Sequence, residues 1–149
     1  MVTLNFEEIK DLIPHREPFI FIDKLIDIEK LKHATGVKTF SMKDNFFKGH
    51  FPEQPVVPGV ILVEMMAQTA AALIAYSIKE ETFDKIVYLM NIDNTKFRKP
   101  VFPDDKIYSK VNALRSNGRV WKFEGNIADN KGQIIAESNW CATIMDKNK

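Results

Sequence analysis

Cysteine is nearly absent: Cys141 is the only one in 149 residues. No internal disulfide can form, so packing alone must hold the fold, and the chain suits a reducing compartment, most simply the cytoplasm. An excess of either charge is also missing. Lys and Arg number 21 against 20 Asp and Glu, for a formal net charge of +1. This argues against a nucleic-acid partner held by a basic surface. Histidine is scarce, at three residues. His15 and His33 stand apart from each other and from any Cys, Asp or Glu cluster at ligand spacing, so no metal site is expected. The motifs GxSxG, GxxxxGKS/T and GxGxxG do not occur. The first residues, MVTLNFEEIK, lack a basic region followed by an apolar one, so no secretory signal is expected.

Long apolar runs are limited to one. Between 60 and 78 the only charge is Glu64. That length is the bottom of the range for a membrane span. Glu64, Gln68, Thr69 and Ser77 interrupt it, and no aromatic or basic belt flanks both ends. The segment therefore reads as a helix buried on every side of a soluble fold, without membrane insertion.

What is present fits one domain, 1–149. A helix is predicted over 6–13, closed by Pro14. Strands are predicted over 19–28 and 34–41. A Pro/Gly loop spans 44–58, and Gly59 opens the long helix, which runs to about Ser77. A polar connection covers 79–85. Strands follow at 86–97, 106–115, 119–128 and 133–145, with a hairpin turn at Ser116–Gly118. The class is α+β. About six mostly antiparallel strands curve around one long central helix. A helix apolar all round leaves one side for a second copy of the chain to cover, so a homodimer is expected.

The chemistry concentrates in GHFPEQPVVPGVILVEMMAQ, from Gly49 to Gln68. Three of the seven prolines stiffen this loop, and His50 stands in it. A neutral histidine, with an ordinary pKa of about 6.5, accepts a proton near neutral pH. Glu64 lies among apolar residues, an environment that favours the neutral acid, able to give a proton. Gly59 opens the first helical turn, where unpaired N–H groups and the positive end of the helix dipole meet. With no side chain there, a ligand carbonyl can approach those donors. A base, an acid and an oxyanion site suit removal of a proton next to a carbonyl with loss of a β-hydroxyl as water. Gln68 shares the helix face of Glu64 and is its natural partner. Lys96, Arg98 and Lys99 form a small basic cluster, either a solvated edge or a dock for an acidic partner.

GHFPEQPVVPGVILVEMMAQ resembles the active-site segment of the bacterial β-hydroxyacyl-acyl carrier protein dehydratases. IPHREPFIFIDKL, VYLMNIDNTKFRKPVFPDD and RVWKFEGNIADNKGQIIAES resemble that family's other segments. The resemblance implies a hotdog fold, a homodimer, and commonly a hexamer built as a trimer of dimers. It implies catalysis by His50 of one protomer and Glu64 of the other, with Gly59, Phe51, Val60 and Gln68 at the oxyanion and substrate site. It implies a (3R)-hydroxyacyl substrate on the phosphopantetheine arm of acyl carrier protein and no metal or separate cofactor; acyl carrier protein is then the acidic partner for which Lys96, Arg98 and Lys99 are the candidate dock. It also implies a cis peptide between His50 and Phe51. The chain departs from the family pattern at Glu53 and Gln54, and at Asp104, where the family has glycine. If that position has positive φ, Asp104 still tolerates it. A hotdog-fold acyl thioesterase or a non-catalytic acyl-carrier-binding subunit is the alternative that the residues leave open.

Overall fold

The structure is a computed structural model that describes residues 2–78 and 85–147. Helix α1 (Phe6–Leu12) starts at a capping box: Asn5 accepts from the Glu8 N–H at 2.9 Å, and Glu8 accepts from the Asn5 N–H at 3.0 Å. Strands β1 (Lys24–Glu29) and β2 (His33–Thr39) follow. A short 3₁₀ turn (Asn45–Lys48) lies inside the stretch expected to be loop. Helix α2 (Gly59–Ser77) has the limits expected from Pro58–Gly59 and the end of the apolar run. Strands β3 (Lys85–Phe97), β4 (Lys106–Asn117), β5 (Val120–Ala128) and β6 (Ile134–Asp146) complete the chain. Of the expected polar connection at 79–85, all but Lys85 lies outside the described residues.

The six strands form one antiparallel sheet in the order β1-β2-β4-β5-β6-β3. It curves around α2, the hotdog arrangement. Burial alternates along β5, where Trp121, Phe123 and Ile127 face inward, as the two-residue period of a strand requires. Trp121, Phe123 and Trp140 stack there, with ring centroids 6.0 and 5.7 Å apart. Leu62, Met65, Met66, Leu73 and Ile74 of α2 are buried against this face. Each such side chain contributes roughly 1.5–3 kcal/mol when fully buried, so packing holds α2 more than helix propensity does. By length and hydropathy α2 is the one helix among the described residues able to cross a membrane, but two-thirds of it is buried by the chain's own sheet.

Gly36 of β2 sets how closely sheet and helix approach. A Cβ there would fall 2.4 Å from Thr69 Oγ1 and 2.6 Å from Ile22 Cγ2. Asp104 has φ of 73°, the left-handed conformation anticipated for a position that holds glycine in the family.

Two expectations are corrected. The first strand begins at Lys24, not Phe19, because the Phe21 N–H and the Phe19 carbonyl are both taken by the Gln68 side chain and cannot join a ladder. The β4–β5 turn is Gly118–Arg119 rather than Ser116–Gly118. Asn117 and Val120 still pair, and Gly118 supplies the positive φ, 64°, of a two-residue hairpin loop.

Candidate active site

The loop from Asp44 to Pro58 holds His50 firmly. The His50 N–H donates to Phe46 O at 3.0 Å, and the Val56 N–H donates to His50 O at 3.0 Å. The Val57 N–H reaches across to Val101 O at 2.8 Å. The His50 ring stacks on Phe51, centroids 4.1 Å apart, and the peptide between these two residues is cis. His50 Nδ1 lies 2.9 Å from Val56 O. A carbonyl only accepts, so Nδ1 carries the hydrogen. In the neutral ring Nε2 therefore keeps its lone pair and is the basic atom.

Helix α2 begins behind this loop. Pro58 provides no side-chain cap, and its carbonyl accepts from the N–H groups of Ile61 and Leu62. The N–H groups of Gly59 and Val60 precede the first intrahelical bond and remain as donors. Gly59 also faces the Phe97 ring, from which a Cβ would stand 3.0 Å. Val60 is 74% exposed and Phe51 is 51% exposed.

Glu64 is less buried than its sequence setting suggests, with 25% of its side chain exposed. The sheet covers most of α2 but leaves a stripe at Val60, Ile61, Glu64 and Ala67, positions three and four apart on one helix face. Glu64 opens from this stripe into a groove of about 200 Å³, walled by Ala67, Ala71, Val87, Leu89 and Trp140. Gln68 Nε2 donates to Glu64 Oε2 at 2.9 Å. Gln68 itself is 1% exposed, with its amide also bonded to Phe19 O and the Phe21 N–H. It therefore holds the acid in place, with its amide oxygen and nitrogen both engaged within the chain.

His15 also lines this groove, its Nε2 3.6 Å from Glu64 Oε2. His15 stands outside any Cys, Asp or Glu cluster at ligand spacing, and spacing along the chain cannot bring it to Glu64. The only signal for it was its place in the PHR stretch of the N-terminal segment. Burial is the larger influence on His15 and pushes its pKa down, against the weaker opposing pull of Glu64. His50 does not line the Glu64 groove within one chain. The basic cluster is partly neutralised. Arg98 pairs with Glu137 at 3.1 Å, and Lys99 with Asp129 at 2.8 Å. The Lys99 hydrogen bond is the main reason the Asp129 carboxyl is held down at about 2. Lys96 lies opposite Glu137 in the β3–β6 register.

The FabA-like domain family matches residues 13–139. The 3-hydroxyacyl-[acyl-carrier-protein] dehydratase FabZ of Rhodospirillum rubrum is 45% identical over 145 residues, covering 97% of this chain and 90% of the relative. The protein of the same name from Rickettsia bellii is 44% identical over 147 residues, covering 99% and 100%. Among solved structures, a chain of the dehydratase heterocomplex ApeI:P from Xenorhabdus doucetiae superposes with a TM-score of 0.79 at 18% identity, covering 93% of this chain and 91% of that one. That likeness is one of fold, a curved sheet around a central helix. The chain belongs to the FabA-like family and, within it, to the FabZ dehydratases.

Proposed function

We propose that the chain converts a (3R)-hydroxyacyl thioester on acyl carrier protein to the trans-2-enoyl thioester during fatty acid elongation. His50 Nε2 takes the proton from the α-carbon. The electron pair left behind forms the α,β double bond. The β-hydroxyl departs with a proton from Glu64 of the partner subunit, and water leaves. The Gly59 N–H steadies the thioester oxygen as negative charge builds on it. The observation that carries this reading is the Nδ1–H bond from His50 to Val56 O, because it supports Nε2 as the base. The reaction runs on these side chains, with neither metal nor separate cofactor, and the phosphopantetheine arm comes with the substrate.

The site draws on two copies of the chain, which form a homodimer, assembled three at a time into a hexamer in the cytoplasm. What supports a shared site is that His50 lies outside the Glu64 groove of its own chain. Acyl carrier protein docks near Lys96, the member of the basic cluster with no ion pair among those formed by the described residues.

Complementation tests the reading. His50→Ala and Glu64→Gln should each lower turnover by about 10²–10⁴-fold, the usual worth of one general acid or base. After subunit exchange, a mixed dimer holds one site with both residues intact and one with neither. Part of the activity should return when the two inactive variants are mixed. Exchange demonstrated by native mass spectrometry without any recovery would show that both residues act from one chain.

A further inference from the structure

Glu64 has two carboxyl oxygens, and the chain engages only one. Gln68 donates to Oε2, and His15 Nε2 faces that same atom. No hydrogen bond among the described residues reaches Oε1.

His15 is held where it is from both sides. Pro14 precedes it. Arg16 follows it and donates to Lys10 O at 3.0 Å, to Ile13 O at 2.9 Å and to His15 O at 2.6 Å. A few residues on, Gln68 ties down Phe19 and Phe21. The other ring nitrogen, Nδ1, is buried with no hydrogen-bond partner. A buried acceptor without a partner is tolerated more often than a buried N–H without one. The ring proton therefore sits on Nε2, pointing at Glu64. Burial keeps the ring neutral, so His15 is a donor here and not a counter-ion. At 3.6 Å the contact is just longer than a hydrogen bond, and an approach of about 0.5 Å makes it one.

We infer that His15 is a positioning residue for the acid: with Gln68, it saturates Oε2 so that the transferable proton of Glu64 resides on Oε1. The chemistry is that of any carboxylic acid. Its carbonyl oxygen accepts hydrogen bonds well and its hydroxyl oxygen poorly. Two donors on Oε2 make that atom the carbonyl oxygen. The O–H is then on Oε1, the atom that the chain leaves free for substrate. Without His15, the Gln68 amide alone discriminates between the two oxygens, and the acid spends part of its time with its proton turned inward.

This inference rests on Glu64 acting as the proposed acid, so the test carries Glu64→Gln alongside. His15→Phe keeps a flat ring and removes the donor, whereas His15→Gln restores an N–H. Turnover of a hydroxyacyl thioester is followed by the ultraviolet absorbance of the enoyl product, with folding checked by circular dichroism and thermal melting. His15→Phe should lower kcat by about 10–100-fold, the scale on which supporting partners of a reactive group act, with KM within about threefold. His15→Gln should recover most of that loss. Wild-type kcat in His15→Phe, or an equal loss in folded His15→Gln, overturns the positioning role. If His15→Phe does not fold, His15→Met, which also lacks a donor, takes its place: a loss of about 10–100-fold in kcat that His15→Gln recovers upholds the role, and a wild-type kcat in His15→Met overturns it. Should Glu64→Gln keep wild-type turnover, it is the assignment of the acid that fails, whatever His15 does.

Discussion

Gln68 joins three parts of the chain through one amide. Its oxygen accepts from the Phe21 N–H at 2.8 Å, and its nitrogen donates to Phe19 O at 3.2 Å and to Glu64 at 2.9 Å. The side chain thus replaces strand pairing for the segment before β1 and orients the carboxyl at the same time. Gln68→Met keeps the length and removes the amide. Leaving the buried Phe21 N–H without an acceptor costs about 1–3 kcal/mol. Gln68→Met should lower the unfolding free energy by that amount, seen as a lower urea midpoint, and reduce turnover as well. An unchanged urea midpoint would mean that water takes over the role of the amide.

At the scale of elements, β2 and α2 meet closely at Gly36. Gly36 faces Thr69, whose hydroxyl donates back to Met65 O at 2.8 Å and so cannot swing away freely. Gly36→Ala should destabilise the chain by about 1–3 kcal/mol, the usual cost of overpacking, since helix or strand must shift to admit one methyl group. Gly49→Ala is the control, because a Cβ there meets nothing within 4 Å. Thermal melting compares the two. Equal melting temperatures would show that the helix accommodates the methyl group without strain.

The whole molecule has one feature that a single copy leaves unfinished. Strand β3 forms one edge of the sheet, and its apolar residues are exposed along much of its length. Ile92 lies opposite Trp140 in register, on the inner face of the sheet, yet it is 45% exposed. Tyr88 and Met90 are each 52% exposed. A long apolar edge with unpaired backbone groups invites another strand, and a second copy of β3 is self-complementary by two-fold symmetry. Ile92→Lys should therefore shift the proposed dimer towards monomer in sedimentation velocity and abolish most turnover along with it. A variant that still sediments as a dimer would place the interface elsewhere.

The local features were legible from residues alone. The limits of α2 follow from Pro58–Gly59 and from the end of the apolar run, because helix termini are set by neighbouring residues in the chain. Strand positions followed from runs rich in β-formers bounded by turn signals, and His50 and Glu64 stood out by residue type in a stiff loop and an apolar helix. The first strand was misplaced because the Gln68 side chain took its backbone partners, an event no local pattern records. Only the tertiary structure decided that β3 leaves its sequence neighbour β4 to pair with β6 at the edge, and that Phe97 closes over Gly59. The meeting of His15 with Glu64 was decided in the same way. Propensity and capping act over a few residues, whereas strand order and the assembly of a site depend on which distant surfaces pack together. The sequence determined the elements and the kinds of chemistry they carry; packing determined which of those groups meet.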